Sequence, residues 1–295
     1  MAALHSDSAE LVTTLEQPAA SPALLADGFV FAEGPRWRAG KLWFSDMHGE
    51  AVYTTTPLGA TTRVLAMPGR KPSGLGFLPD GSALIVSMTD RSLLRLAPDG
   101  SSTVHARLAE LVPDELNDMV VGADGTAFVG SYTTEPGAGV IIRVAPDGSA
   151  AVAADGLDFP NGSVISPDGR TLIVAESKGR RLTAFDLDRH GNLGRRRVVA
   201  TTPDAAPDGI ALDAQGAVWA AFPLAHEFRR ILPGGEVTDR VDTGEKMAVA
   251  CALGGADRRT LFLLTATDWT AEALAGRRTS TVATLRVLVP GAGLP

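Results

Sequence analysis

Four short stretches each carry one oxygen-bearing side chain just ahead of, or at the start of, an apolar run. They are Phe31-Ala-Glu33-Gly-Pro35, Glu115-Leu-Asn117-Asp118, Phe159-Pro-Asn161-Gly162 and Ala206-Pro-Asp208-Gly209-Ile210. Glu33 and Asp208 bring two carboxylates, Asn117 and Asn161 two amides. An oxygen-only set of this kind suits a hard divalent cation such as calcium, and two carboxylates match its charge. A cation with open positions polarises a carbonyl. No His or Cys stands among the four, which argues against a soft-ligand zinc site. Taken singly, Asn-Gly and Asp-Gly are turn formers and need no further role. The same place filled in four successive repeats asks for more, because a buried carboxylate without a partner is costly.

The repeats that must position these residues are marked by turns. Pro79-Asp80-Gly81, Pro98-Asp99-Gly100, Ala123-Asp124-Gly125, Pro146-Asp147-Gly148 and Pro167-Asp168-Gly169 are hairpin signals between apolar runs. The runs Leu42–Phe44, Ala83–Val86, Ala127–Val129, Thr171–Val174, Val218–Trp219 and Thr260–Leu264 have the length of strands. They recur at intervals of about 40 to 48 residues, the period of four-stranded propeller blades. The expected fold is all-β: a six-bladed propeller of antiparallel four-stranded blades, occupying residues 19–295, with residues 1–18 as a tail. The sixth blade runs out of chain after three strands, Val249–Leu253, Leu261–Thr265 and Thr281–Val287. Pro22–Ala26 is expected to supply the fourth and close the ring.

Strands in a blade alternate in direction, so the tight Asp-Gly turns share one face of the disc. The longer loops and the entries to the inner strands share the other, and function belongs there. Candidate substrate contacts on that face are Asn117, Glu115, His48, Tyr132 and His226. The two histidines titrate near neutral pH, although either could equally be a packing residue. Trp37, Trp43 and Trp219 fall in or beside strands and read as core.

Composition sets outer bounds. The chain has 295 residues, 27 Lys+Arg against 34 Asp+Glu, and a net charge of −7. An acidic chain argues against a nucleic-acid or anionic-membrane partner. One cysteine, Cys251, excludes an internal disulfide. No stretch approaches the roughly 18 apolar residues of a membrane span. The N-terminal stretch has no secretion-signal pattern, so the expected compartment is the cytoplasm. The basic run Arg195-Arg196-Arg197 reads as a solvated strand edge or loop.

These motifs resemble the senescence-marker-protein/gluconolactonase family of regucalcin-like propellers. The matching stretches are Ala32–Trp37, Leu42–Asp46, Leu116–Asp118, Pro160–Gly162 with Ser166–Gly169, Pro207–Asp213, and Ala252–Asp257 with Thr260–Phe262. Together they cover roughly residues 28 to 265. The resemblance implies a lactone or ester hydrolase dependent on one divalent metal, calcium first, with zinc, manganese, magnesium or ferrous iron accepted by relatives. It implies Glu33, Asn161 and Asp208 as metal ligands. Asn117 would lie beside the metal or on it, and Asp208 would serve also as general base or nucleophile. Two positions depart from the pattern. Sugar-lactone members often carry Arg where Glu115 stands, and the common Asn-Asp-Gly is Asn117-Asp118-Met119 here. Both point away from a standard hexono-lactone. Non-catalytic calcium binding, and arylesterase or phosphotriesterase-like hydrolysis on the same site, remain the competing expectations.

Overall fold

The computed structural model describes residues 21–293. Six four-stranded antiparallel sheets form a six-bladed propeller. Blade 1 comprises Ala32–Arg38, Lys41–Asp46, Ala51–Thr55 and Thr61–Ala66. The inner strands of blades 2 to 6 are Pro72–Phe77, Leu116–Val121, Pro160–Ile165, Ile210–Leu212 and Met247–Gly254. Each inner strand packs against the next, and the sixth packs against the first, so the ring is continuous.

The turns form for the reason their sequence suggests. In each Asp-Gly turn, the Asp carboxylate accepts the amide two residues on, as from Ser82 to Asp80 and from Thr126 to Asp124, both at 2.9 Å. The glycine then takes positive φ, +87° at both Gly81 and Gly125. Second strands lie between neighbouring blades and are buried on both faces. Ala83–Ser87, Ala127–Ser131 and Val218–Phe222 are buried throughout, which is why they read as unbroken apolar runs. Outer strands keep one side in water. Leu193–Thr201 holds the basic run at such an edge, with Arg196 turned onto the buried carboxylate of Glu176 at 3.0 Å.

Ring closure follows the strand count. Ala23–Phe29 pairs antiparallel with Ser280–Arg286, through Ala23 with Thr284 and Phe29 with Ser280. This strand reaches three residues further than Pro22–Ala26. The expected tail, residues 1–18, lies outside the described residues.

Two features have no counterpart in the sequence reading. A single helical turn, Ala271–Leu274, sits in the long loop of blade 6, capped by Thr270. Past the last strand the chain crosses under blade 5. The Ala214 amide donates to Pro290 O at 2.8 Å, and the Ala292 amide donates to Leu212 O at 3.0 Å. No helix among the described residues is long and apolar enough to cross a membrane.

Candidate active site at the channel mouth

The inner strands do not run straight into the channel. In blades 1 to 4 each carries one residue more than its partner strand, always near the entry. The slips fall between Glu33 and Arg36, Pro72 and Leu75, Leu116 and Met119, and Pro160 and Ser163. A bulge of this kind bends the strand and re-aims its side chains. Ser73, Asn117 and Asn161 fall inside these bulges, and Glu33 is the last paired residue before the first of them. In blade 5 the Asp208 amide donates to Ala221 O at 2.8 Å, just ahead of the short inner strand.

Glycines let the entries converge. A Cβ on Gly162 would stand 2.6 Å from both Asp208 O and Ile210 N, because blade 5 backbone passes directly over it. Gly34 has φ +57°, and a Cβ there would meet Ser73 O at 2.8 Å.

The side chains of this hub are coupled. Burial, then the charges of Asp208 and Asp118, holds the Glu33 carboxyl well above the usual carboxylate range. Burial and the charge of Asp118 push Asp208 up to about 8, with the Asn161 side chain partly offsetting this. Glu33 Oε1 is shut off from solvent and has no hydrogen-bond partner. Both amides have their nitrogen ends tied to the neighbouring blade. Asn117 Nδ2 donates to Pro160 O at 3.1 Å, and Asn161 Nδ2 to Ser177 Oγ at 3.2 Å. Ser177 Oγ in turn donates to Pro207 O at 2.7 Å. The amide oxygens accept no hydrogen bond among the described residues. The hub thus offers unclaimed oxygens, and among the described residues no salt bridge ties Glu33 or Asp208 to a cationic side chain. That set fits a hard dication. No three His, Cys, Asp or Glu side chains form a metal-binding cluster among the described residues. The set here is half amide.

Arg36 is the nearest buried cation, and it is committed elsewhere. Its Nη2 reaches Asp118 Oδ1 at 3.2 Å and also donates to Met119 O, while Nη1 donates to Pro35 O. The Arg36–Asp118 pair spans the channel from blade 1 to blade 3. The strand Ala32–Arg38 holds Glu33, Arg36 and Arg38, and nothing in their spacing singles Arg36 out for this role.

The remaining expected residues separate. Glu115 and Tyr132 line one cavity of about 430 Å³ with Arg91 and Thr134. Tyr132 packs edge-on to Phe159 at 4.9 Å. His48 lines a second cavity, also about 430 Å³, and its Nε2 donates to Trp269 O at 3.0 Å. His226 ends a short 3₁₀ turn with φ +54°, and its Nδ1 donates to Lys246 O at 3.0 Å. Among the described residues no hydrogen bond joins His226 to Glu33, Asn117, Asn161 or Asp208.

Comparison with known proteins finds relatives along most of the chain. The chain is 26% identical to regucalcin of Xenopus laevis over 259 residues, spanning 83% of this chain and 86% of that one. It is 26% identical to the 6-deoxy-6-sulfogluconolactonase of Pseudomonas putida, over 90% of this chain and 94% of that one. The crystal structure of a calcium-binding protein, regucalcin, from Agrobacterium tumefaciens superposes with a TM-score of 0.80 at 26% identity, covering 94% and 96% of the two chains. Residues 31–267 match the model of the SMP-30/gluconolactonase/LRE-like region, and the chain belongs to that family.

Proposed function

We propose that this protein is a metal-dependent lactone hydrolase. Glu33, Asn117, Asn161 and Asp208 would hold one divalent cation, calcium first. The observation that carries this reading is the pair of half-buried carboxylates, Glu33 and Asp208, each raised by desolvation and by neighbouring negative charge, with Glu33 Oε1 shut off from solvent and left unpartnered. Kinship with lactonases supports the reaction class.

When bound, a dication supplies a Lewis acid for the ester carbonyl and steadies the charge that develops on its oxygen. The chain's own residues do the rest. A carboxylate oxygen of Asp208 takes the proton from the attacking water, or attacks the carbonyl itself, breaking the ring C–O bond to leave an anhydride that water then hydrolyses, giving its protons to the alkoxide and the released acid. With water as nucleophile, oxygen adds to the carbonyl carbon, the ring C–O bond breaks, and the proton held by Asp208 passes to the departing alkoxide. The product is an open hydroxy acid. The Asn161 amide lies against Asp208 and fixes its orientation. Glu115, Tyr132 and His48 line the walls on which the rest of the substrate rests.

The test compares the wild type, Glu33→Gln and Asp208→Ala on lactones, aryl esters and organophosphates, with calcium, zinc, manganese or chelator. Lactone turnover should stop on chelation. Each variant should lose on the order of 10²–10⁴-fold in kcat while keeping its circular dichroism. Calcium binding without turnover would favour a purely binding propeller. Fast ester or organophosphate turnover with idle lactones would favour the other hydrolases. Chelator-resistant lactone turnover in both variants would overturn the mechanism.

A further inference from the structure

The cavity between blade 1 and the loop of blade 6 is cationic in a chain whose net charge is −7. Its lining includes His48, Glu50, Lys71, Arg277 and Arg278, with Met47 and Leu274 as the apolar floor. Neither arginine forms a salt bridge among the described residues, and the one carboxylate that feels the charge of Arg277 is Asp268 of the same loop. Arg277 Nη1 lies at 3.5 Å from Ala273 O, and Arg278 Nη1 donates to Gly28 O at 3.1 Å. Glu50 is turned aside, accepting the Gly69 amide at 2.9 Å. Lys71 is shared with Glu115 of blade 3, at 2.9 Å and 3.1 Å from its two oxygens.

Place in the fold ties this cavity to the hub. Lys71 lies two residues ahead of Ser73, which sits in the blade 2 bulge beside Glu33. Val30 and Met47, also in the lining, flank the start of the inner strand that carries Glu33. Val30 and Lys71 of the lining thus stand within three residues of Glu33 and Ser73 along the chain, which puts the cavity beside the entries to the first two inner strands. About 430 Å³ accommodates a carboxylate-, sulfonate- or phosphate-sized group with its linking carbons.

We propose that this cavity is an anion subsite, and that the preferred lactone carries a negatively charged terminal group, received by Arg277 and Arg278 with Lys71 at the inner edge. The proposal rests on the lactonase reading for its substrate, though not for the site itself. Guanidinium groups free of carboxylates bind oxyanions through paired charge-assisted hydrogen bonds. Within a net-acidic molecule, a local basic pocket also steers an anion to one place on the surface.

The experiment measures kcat/KM for an aldarolactone bearing a terminal carboxylate and for the uncharged aldonolactone of the same ring size. Wild type is compared with R277A/R278A and with R277K/R278K. In parallel, calorimetry measures inorganic sulfate binding to the wild type and both variants. The wild type should prefer the anionic lactone. The alanine variant should lose roughly tenfold or more of that preference, chiefly through KM, and its sulfate affinity should fall by a similar factor. The lysine variant should recover part of both. An unchanged preference with unchanged sulfate binding in R277A/R278A overturns the subsite. A wild type that hydrolyses neither lactone overturns the hydrolase reading instead, and the sulfate series then decides the subsite alone.

Discussion

Glu33 and Asp208 are held where neither can ionise freely without a cation. Their raised affinity for protons makes metal uptake and proton release one event. At pH 7, calcium binding should therefore expel protons, measurable by calorimetry in buffers of different ionisation enthalpy. Affinity should climb by up to roughly tenfold per pH unit for each proton displaced, levelling off above about pH 8 for Asp208. Folding in chelator has a definite sign. Asp208 titrates near 3.8 when unfolded and near 8 when folded, so the folded state binds the extra proton between these values. Its contribution to stability is lost as pH rises across that interval. Chelated protein should melt lower at pH 9 than at pH 6, and calcium should narrow the gap. A proton-free calcium isotherm would contradict both statements. Of the hub, the four oxygen donors were legible because their type and their place in the repeat recur. Arg36, Ser73 and Ser177 were not, since an Arg or Ser in a strand has no unusual spacing to betray it. His226 and His48 each give one ring nitrogen to a backbone carbonyl, of Lys246 and of Trp269, a pairing no spacing in the sequence announces.

At the level of the strand, the bulge does the aiming. The inner strands are buried on nearly every residue, so there is no apolar alternation for a one-residue slip to interrupt, and sequence periodicity does not register it. Nor does it register Ala271–Leu274, which is shorter than one full period of a helical pattern can establish. The Asp-Gly turns were legible because their chemistry is local: the carboxylate bonds its own backbone wherever the turn sits. Gly162 tests the strand-level account. In Gly162→Ala the new methyl would press on Asp208 O and Ile210 N, with backbone on both sides and little room to yield. We expect a loss of about 1–3 kcal/mol in denaturant midpoint experiments. kcat should fall together with stability, since the displaced atom belongs to Asp208. Wild-type values of both would mean that the entries are looser than described.

For the whole disc, closure is the decisive contact. Phe29 packs edge-on against Phe44 at 4.8 Å and Tyr53 at 5.3 Å, joining the closing strand to blade 1 as well as to blade 6. Deleting residues through Phe29 removes that ring and bares the edge of Ser280–Arg286. Loss of a buried Phe alone is worth about 3–5 kcal/mol, which at roughly 2–4 °C per kcal/mol amounts to a melting point lower by on the order of 10 °C. Calorimetry on the shortened chain checks this, and an unchanged melting temperature would show that the blades hold the ring without a clasp. Closure was countable from sequence, because five blades had four strands and the last had three. The path of residues 287–293 beneath blade 5 was not, since it rests on backbone pairing that any residue type can make.

Both the incoming strand at Ala23 and the segment ending at Gly293 emerge beside the tight turns, the former next to Thr284 and the latter beneath Leu212. The doorway lies on the reverse side. A fluorophore attached at Ala23 or at Gly293 would thus hang behind the disc, and incoming molecules would meet an entrance it does not obstruct.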